Sequence, residues 1–343
     1  MSYYLMNSIK TSYYKACSVL PMSLIKSLGS AGTLLPYHHT VSNDFLPHIK
    51  HLFNYKNEKQ FTNDIDFLLK HYNPISPDNF RKYITENSAL PKKSFLLSFD
   101  DGLKEIYHII APILIKKGVP AFFFINPSFI NNKELFYRYK ISLLINELLK
   151  NKDQVYFLNI FYDTLSIKNK TLQEIIKSLK NINNKNDYLI EIIAEKIAFS
   201  FQDFLVSKQP FLTEKQLKSL HSKGFTLGGH SMDHPYYHYL SLSEQLKQTI
   251  ASCKYVNELI GINNCSFSFP HTDEGISQEF FNIVKDYNIP LFFGTQNQKM
   301  EIKNKMFHRF NAERPEIDFS SQIKGITTMI WFKNLIGINK IVR

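Results

Sequence analysis

The sequence predicts an α/β protein, a distorted (β/α) barrel of seven or eight strands with a helical insertion. Three observations point to it. Short apolar runs alternate with segments of helical period along most of the chain, the pattern of parallel strands joined by crossover helices. No internal repeat or low-complexity linker divides that pattern. Two adjacent carboxylates also stand directly after a strongly apolar run, and the carboxyl ends of barrel strands are where such folds place function.

Residues 1–30 read as a basic helical segment. Within it, KACSVLPMSLIKSLGSAG (15–32) only faintly resembles a signal peptide. Its apolar part is short and holds Pro21, Lys26 follows, and no A-x-A site appears. A short helix leading into the first strand is expected instead. The main domain spans 31–318 and opens with TLLPYHHTV (33–41) as its first strand. Phe61, Ile65, Leu68 and Leu69 then recur at helical spacing, up to Pro74. SFLLSF (94–99) is a second strand, followed by a helix through Ile106, Ile110, Ile113 and Leu114 that Gly118 closes. VPAFFFIN (119–126) is the next strand.

From about 131 to 212 the pattern changes to helices rich in Lys, Asn and Leu, the helical insertion. Strands resume at FTLGG (225–229), CSFSF (265–269), PLFF (290–293) and MFHRF (306–310). Helices are expected from Ser243 to Ile260, capped by Gly261, and from about Ser277 to Tyr287. The tail, 319–343, reads as a basic amphipathic segment.

Composition narrows the function. The net charge is +11, but Lys10, Lys15 and Lys26 precede any acid and Lys324, Lys333, Lys340 and Arg343 follow the last one, so the two ends supply seven of it. That is not the dense basic stripe of a nucleic-acid binder. Cations mixed with apolar residues at both ends suit peripheral contact with a membrane surface, and no stretch has the apolar length of a membrane-spanning helix. Cys17, Cys253 and Cys265 are odd in number and widely spaced, giving neither a disulfide framework nor a metal clip. Reduced core cysteines favour a cytoplasmic location and the basic ends a membrane-associated one, with export left open. The sequence is silent on oligomeric state.

The chemistry lies in two short stretches. SFDDG sets Asp100 and Asp101 side by side at a strand end, where they repel each other unless a cation sits beside them. LGGHSMDHPYYHYL (227–240) follows another strand and offers His230 and His234 in an H-x₃-H interval, a spacing that lets one turn aim two imidazoles at one ion. One Asp with two His makes a three-ligand site with an open position, the catalytic form of a zinc site. The other Asp is left free to act as a base. A glycosidase needs its two carboxyls on opposite sides of a bond, about 5–9.5 Å apart, which adjacent acids fit less well.

SFDDG and HSMDH resemble the first and second motifs of the NodB-type polysaccharide deacetylases, carbohydrate esterase family 4. LLPYHHTVSND is similar to that family's Tyr-His first strand, and FLTEKQLKSLHSKGFTLGGH to its helix leading into the second motif. The resemblance covers roughly residues 31–315. It implies a NodB-like barrel that removes N-acetyl groups, or alternatively O-acetyl groups, from a polysaccharide, oligosaccharide or glycolipid precursor. Asp100 would be the general base, with Asp101, His230 and His234 holding a divalent metal, usually Zn²⁺. Ser231 would fix the loop by hydrogen bonding.

FSFPHTDEG stands where the third motif belongs, closer to the branch with an aromatic-Pro-aromatic-Gly turn. His271 and Thr272 replace the aromatic and the Gly, and a backbone N–H near His271 is the expected oxyanion donor. Arg309 is the expected tether of the catalytic Asp, and His308 the expected general acid, with His271 as runner-up. His39, Ser231, Pro270, His271 and Arg309 complete the residues expected around the acetylated glycan. A catalytically silent carbohydrate-binding protein of the same fold is the alternative reading.

Overall fold

A computed structural model describes residues 3–28, 32–183, 185–301 and 304–343. Its frame is a set of short strands, β1 (Pro36–His38), β2 (Leu97–Phe99), β3 (Ala121–Ile125), β4 (Thr226–Gly229), β5 (Phe267–Ser268), β6 (Phe292–Gly294), β7 (Met306–His308) and β8 (Phe310–Asn311). A strand covered on both faces needs apolar or small residues at every position rather than at alternate ones. AFFFI of β3 shows this, buried at every residue. Burying each of Phe122, Phe123 and Phe124 contributes about 1.5–3 kcal/mol relative to exposure.

Neighbours pair in parallel from β1 through β7, with Tyr37 opposite Ser98, Ser98 opposite Phe122, Phe124 opposite Gly228 and Phe293 opposite Phe307. The last strand then changes partners. Arg309 donates its backbone N–H to Gly294 O at 2.8 Å, while Phe310 donates to Leu35 O at 3.0 Å. β8 consequently pairs with β1, and the sheet curls round on itself into a barrel. Gly228 is required where β3 and β4 press together, since a Cβ there would lie 2.4 Å from the Phe124 ring.

The predicted first strand (33–41) is shorter than expected, broken at Leu35 into Thr33–Leu34 and β1. Thr33–Leu34 joins Ser94–Phe95 and Asn73–Pro74 in a small parallel sheet beside the barrel. Met300–Glu301 adds an antiparallel edge to β7. Helices begin where caps demand. Asn57, Thr213 and Ser241 each close a capping box with Gln60, Gln216 and Glu244, which satisfies the first free N–H groups of a helix. Gly261 ends the Leu242–Ile260 helix in the left-handed conformation, as expected. After Asp100–Asp101 the chain makes one π turn (Ile106–Ile110) before Ala111–Lys117. Pro112 has no N–H to close an α turn onto His108.

Between β3 and the Glu214–Ser222 helix lie the helices Tyr137–Lys150, Val155–Thr164, Leu172–Lys180, Tyr188–Lys196 and Phe201–Lys208. They bury Leu144, Leu148, Phe161, Leu179 and Ile193 in a core of their own, which Ile49 and Leu103 join. At its start this insertion reaches over the barrel mouth with Phe136 and Tyr139. Residues 15–32 hold the end of one helix (Tyr3–Cys17) and a second (Met22–Leu28). The expected boundary at 30/31 falls on 29–31, outside the described residues. No helix among the described residues is long and apolar enough to cross a membrane.

Candidate active site

The carboxyl ends of β1, β2, β4, β5 and β6 and the β7–β8 junction deliver His39, Asp100, Asp101, His230, His271, Thr295 and Arg309 to one end of the barrel. A cavity of ≈ 220 Å³ opens there, lined among others by Tyr37, His39, Asp100, Asp101, His230 and His234.

Asp100 and Arg309 are both buried and face each other as a two-pronged pair, Nη1 to Oδ1 and Nη2 to Oδ2, each at 2.7 Å. Arg309 also donates to the hydroxyls of Ser98 and Ser268 and lies over the Tyr37 ring, 4.7 Å from its centroid. Burial alone would raise the Asp100 pKa. The Arg309 cation, then His230, overcome that and hold it below the ordinary carboxylate value.

Asp101, His230 and His234 converge beside this pair, all buried. Asp101 Oδ1 lies 3.5 Å from His230 Nε2 and 3.2 Å from His234 Nε2, yet no aligned hydrogen bond reaches it. A buried carboxylate oxygen without a donor is costly, and an oxygen and two imidazole nitrogens around one point form the donor set of a divalent cation. The outer partners fit the same role. His230 Nδ1–H donates to Ser268 O at 2.8 Å, leaving Nε2 for a ligand. Tyr139 Oη donates to Asp101 Oδ2 at 2.8 Å, and His234 Nδ1 meets His271 Nε2 at 3.1 Å.

The loops are held in unusual backbone. Asp101, Ser231, His234 and His271 have φ of 72°, 63°, 61° and 56°, each costing about 1–3 kcal/mol in a non-glycine residue. Asn126 at the end of β3 secures one of them by donating to the backbone carbonyls of His230 and Ser231. Ser231 Oγ accepts from the His234 N–H at 3.0 Å.

Several expectations need correcting. His308 does not line the cavity. It points to the other side of β7 into a buried cluster, with Nε2 3.2 Å from Glu301 Oε2 and Nδ1 3.6 Å from Asp273 Oδ1, so it has no access to a substrate. Arg343 completes that cluster, bonding Asp273 and Glu301. Arg309, Ser231 and Pro270 do not touch the cavity either. Arg309 is spent on Asp100, Ser231 on the His234 loop, and Pro270 shapes a turn in which its carbonyl accepts from Thr272. His271 does line the cavity, but its ring stacks on Tyr236 at 3.7 Å. Burial, then the charge of His234, hold its pKa well below the usual imidazole value. That shift disfavours the protonated ring which the runner-up role as proton donor requires.

His39 lies at the cavity wall in a different state. Glu313 accepts from its backbone N–H at 2.6 Å and faces its Nδ1 at 2.6 Å. Burial disfavours the imidazolium, but the Glu313 carboxylate outweighs it and raises the pKa to about 9. Tyr139, Asn126 and Glu313 belong to none of the sequence motifs. Only Asn126, a polar residue closing the apolar run AFFFI, carried a visible signal.

Residues 87–292 match the family model described as polysaccharide deacetylase. The chain belongs to the polysaccharide deacetylase family. It is thereby a hydrolase of carbon–nitrogen bonds, and its substrate class is acetylated glycans. No curated protein matches it. Among solved structures, the deacetylase is similar in fold to Streptococcus pyogenes deacetylase PplD, at 14% identity over 86% of this chain and 97% of that one, TM-score 0.55. It is also similar to IcaB from Ammonifex degensii, at 14% identity over 86% and 97%, TM-score 0.53. A de-N-acetylase from Aggregatibacter actinomycetemcomitans aligns at 15% identity over 86% and 99%, TM-score 0.51. At these identities the likeness concerns the fold, the NodB-like barrel.

Proposed function

We propose that this deacetylase removes N-acetyl groups from a glycan with a divalent cation, zinc, held by Asp101, His230 and His234. The observation that carries the reading is the buried Asp101 Oδ1, bare of hydrogen bonds and turned toward two imidazole Nε2 atoms. A cation bound there polarises the acyl oxygen and lowers the pKa of water.

The chain's own residues supply the rest. Asp100, kept ionised by Arg309, takes the proton of the attacking water. Its two-pronged tether also fixes the direction of its lone pairs before substrate arrives. The amine leaving from an amide must be protonated to depart. His39, still an imidazolium at neutral pH because of Glu313, is the group at the cavity wall suited to give that proton. The His271 backbone N–H, at the bend after β5, is the oxyanion donor. A cavity of ≈ 220 Å³ is smaller than the roughly 300–1,000 Å³ of pockets that engulf whole ligands. It therefore takes the acetamido end of one sugar, beside Tyr236 and Phe53 in its wall, while the rest of the glycan lies outside.

Acetate release from N-acetylated and O-acetylated oligosaccharides tests this, with chelator and with zinc restored. Release from the N-acetylated series that stops with chelator and returns with zinc supports the reading. Release unaffected by exhaustive chelation overturns it.

A further inference from the structure

The seven cations that stand outside the acidic part of the chain are far apart in sequence, yet the first and last helices fold together. Tyr13 Oη donates to Gly325 O at 3.0 Å and Lys324 Nζ donates to Ser18 O at 2.7 Å. Gly325 permits the approach, since a Cβ there would lie 2.4 Å from the Tyr14 ring. The helices Tyr3–Cys17 and Phe319–Leu335 run antiparallel, with Ser18 beside Lys324 at one end and Lys10 near Lys333 at the other. Burial, then Arg314 and Lys333, lower the Lys10 pKa.

That second end carries several large apolar side chains in the open. Trp331 and Leu335 lie one helical turn apart, Phe332 and Ile336 likewise, and all four are exposed, Leu335 by 68% and Phe332 by 53%. Ile9 on the first helix and Ile338 beyond the last one are exposed as well. Exposed large side chains in one contiguous patch mark a surface that meets something. Lys10, Lys333 and Lys340 stand within two residues of these side chains in the chain, and neither the first 43 residues nor those after Asp318 contain an acid.

We propose that this two-helix face docks on an anionic lipid surface. The aromatic and aliphatic side chains seat at headgroup depth while the lysines reach the phosphates, the division of labour of an interfacial helix. Charge complementarity selects this occupant over a second copy of the chain, which would set lysine against lysine.

Trp331 is the single tryptophan, so its emission reports the contact without a label. The full chain is titrated with phosphatidylcholine vesicles, with and without phosphatidylglycerol, at low and high salt, and binding is confirmed by flotation. A blue shift and co-flotation with the anionic vesicles alone, weakened by salt, are expected. The double variant Lys10→Glu/Lys333→Glu should bind about thirtyfold more weakly or worse, and Phe332→Ser/Leu335→Ser should lose the blue shift. Both should keep acetate release from a soluble oligosaccharide, which shows that they fold. No shift and no flotation with anionic vesicles overturns the proposal. So does equal binding to neutral vesicles at high salt, or burial of Trp331 by self-association in the absence of lipid.

Discussion

Asp100 and Arg309 meet through two parallel hydrogen bonds of 2.7 Å, although 209 residues separate them in the chain. Both are almost wholly buried. A buried ion pair gives little net stability when intact but is expensive to break, about 3–5 kcal/mol, because one charge is left alone. Lysine is no substitute, since a single ammonium cannot match both carboxylate oxygens. Arg309→Lys should therefore lower kcat at least tenfold and lower the melting temperature as well. Steady-state kinetics on an acetylated oligosaccharide and a thermal melt check both.

Tyr139 reaches Asp101 from the helical insertion. Removing the hydroxyl in Tyr139→Phe leaves the ring packed but frees Asp101 Oδ2. Outer partners of this kind are typically worth about 10–100-fold in metal affinity. The variant should yield zinc to a competing chelator at a correspondingly lower concentration, with its fold intact by circular dichroism. Unchanged competition would show that Asp101 is not a ligand.

The His39–Glu313 pair predicts a basic limb in the pH profile. The folded-state pKa is raised, to about 9, above the ordinary 6.5. The folded protein then binds this proton more tightly than the unfolded chain does. Its contribution to stability is complete below about pH 6.5 and disappears as pH rises through about 9. If the same proton goes to the leaving amine, kcat falls over that upper range too. Glu313→Gln should move the fall in kcat toward neutrality.

His39 and His308 should separate in their kinetics. His39→Gln removes the proposed proton donor and is expected to lower kcat by about 10²–10⁴-fold. His308→Gln should leave kcat within a few-fold of the parent, because His308 sits among Asp273, Glu301 and Arg343 away from the cavity. It should instead lower the melting temperature, since burying two carboxylates with one fewer partner is costly. A large kcat loss in His308→Gln alone would restore it as the acid.

The parts of the site that a sequence shows well are those packed into short motifs. Asp100 with Asp101, and His230 with His234, are each set by a few residues at a strand end. The barrel itself was legible because continuous apolar runs such as AFFFI leave few other structures open. His308 and Arg309 were harder. Adjacent residues of a strand face opposite sides, and MFHRF offers no turn or alternation to say which of the two reaches Asp100. The change of partners at Arg309 settles it, and that is a property of barrel closure rather than of any local pattern. Tyr139 and Glu313 have no motif at all, since their partners lie 38 and 274 residues away.

The seam between the β7 and β8 elements has a bearing on how the enzyme is made. The arginine that orients the base is carried by the segment that shuts the ring, so the base acquires its fixed direction only once the last strand has met the first.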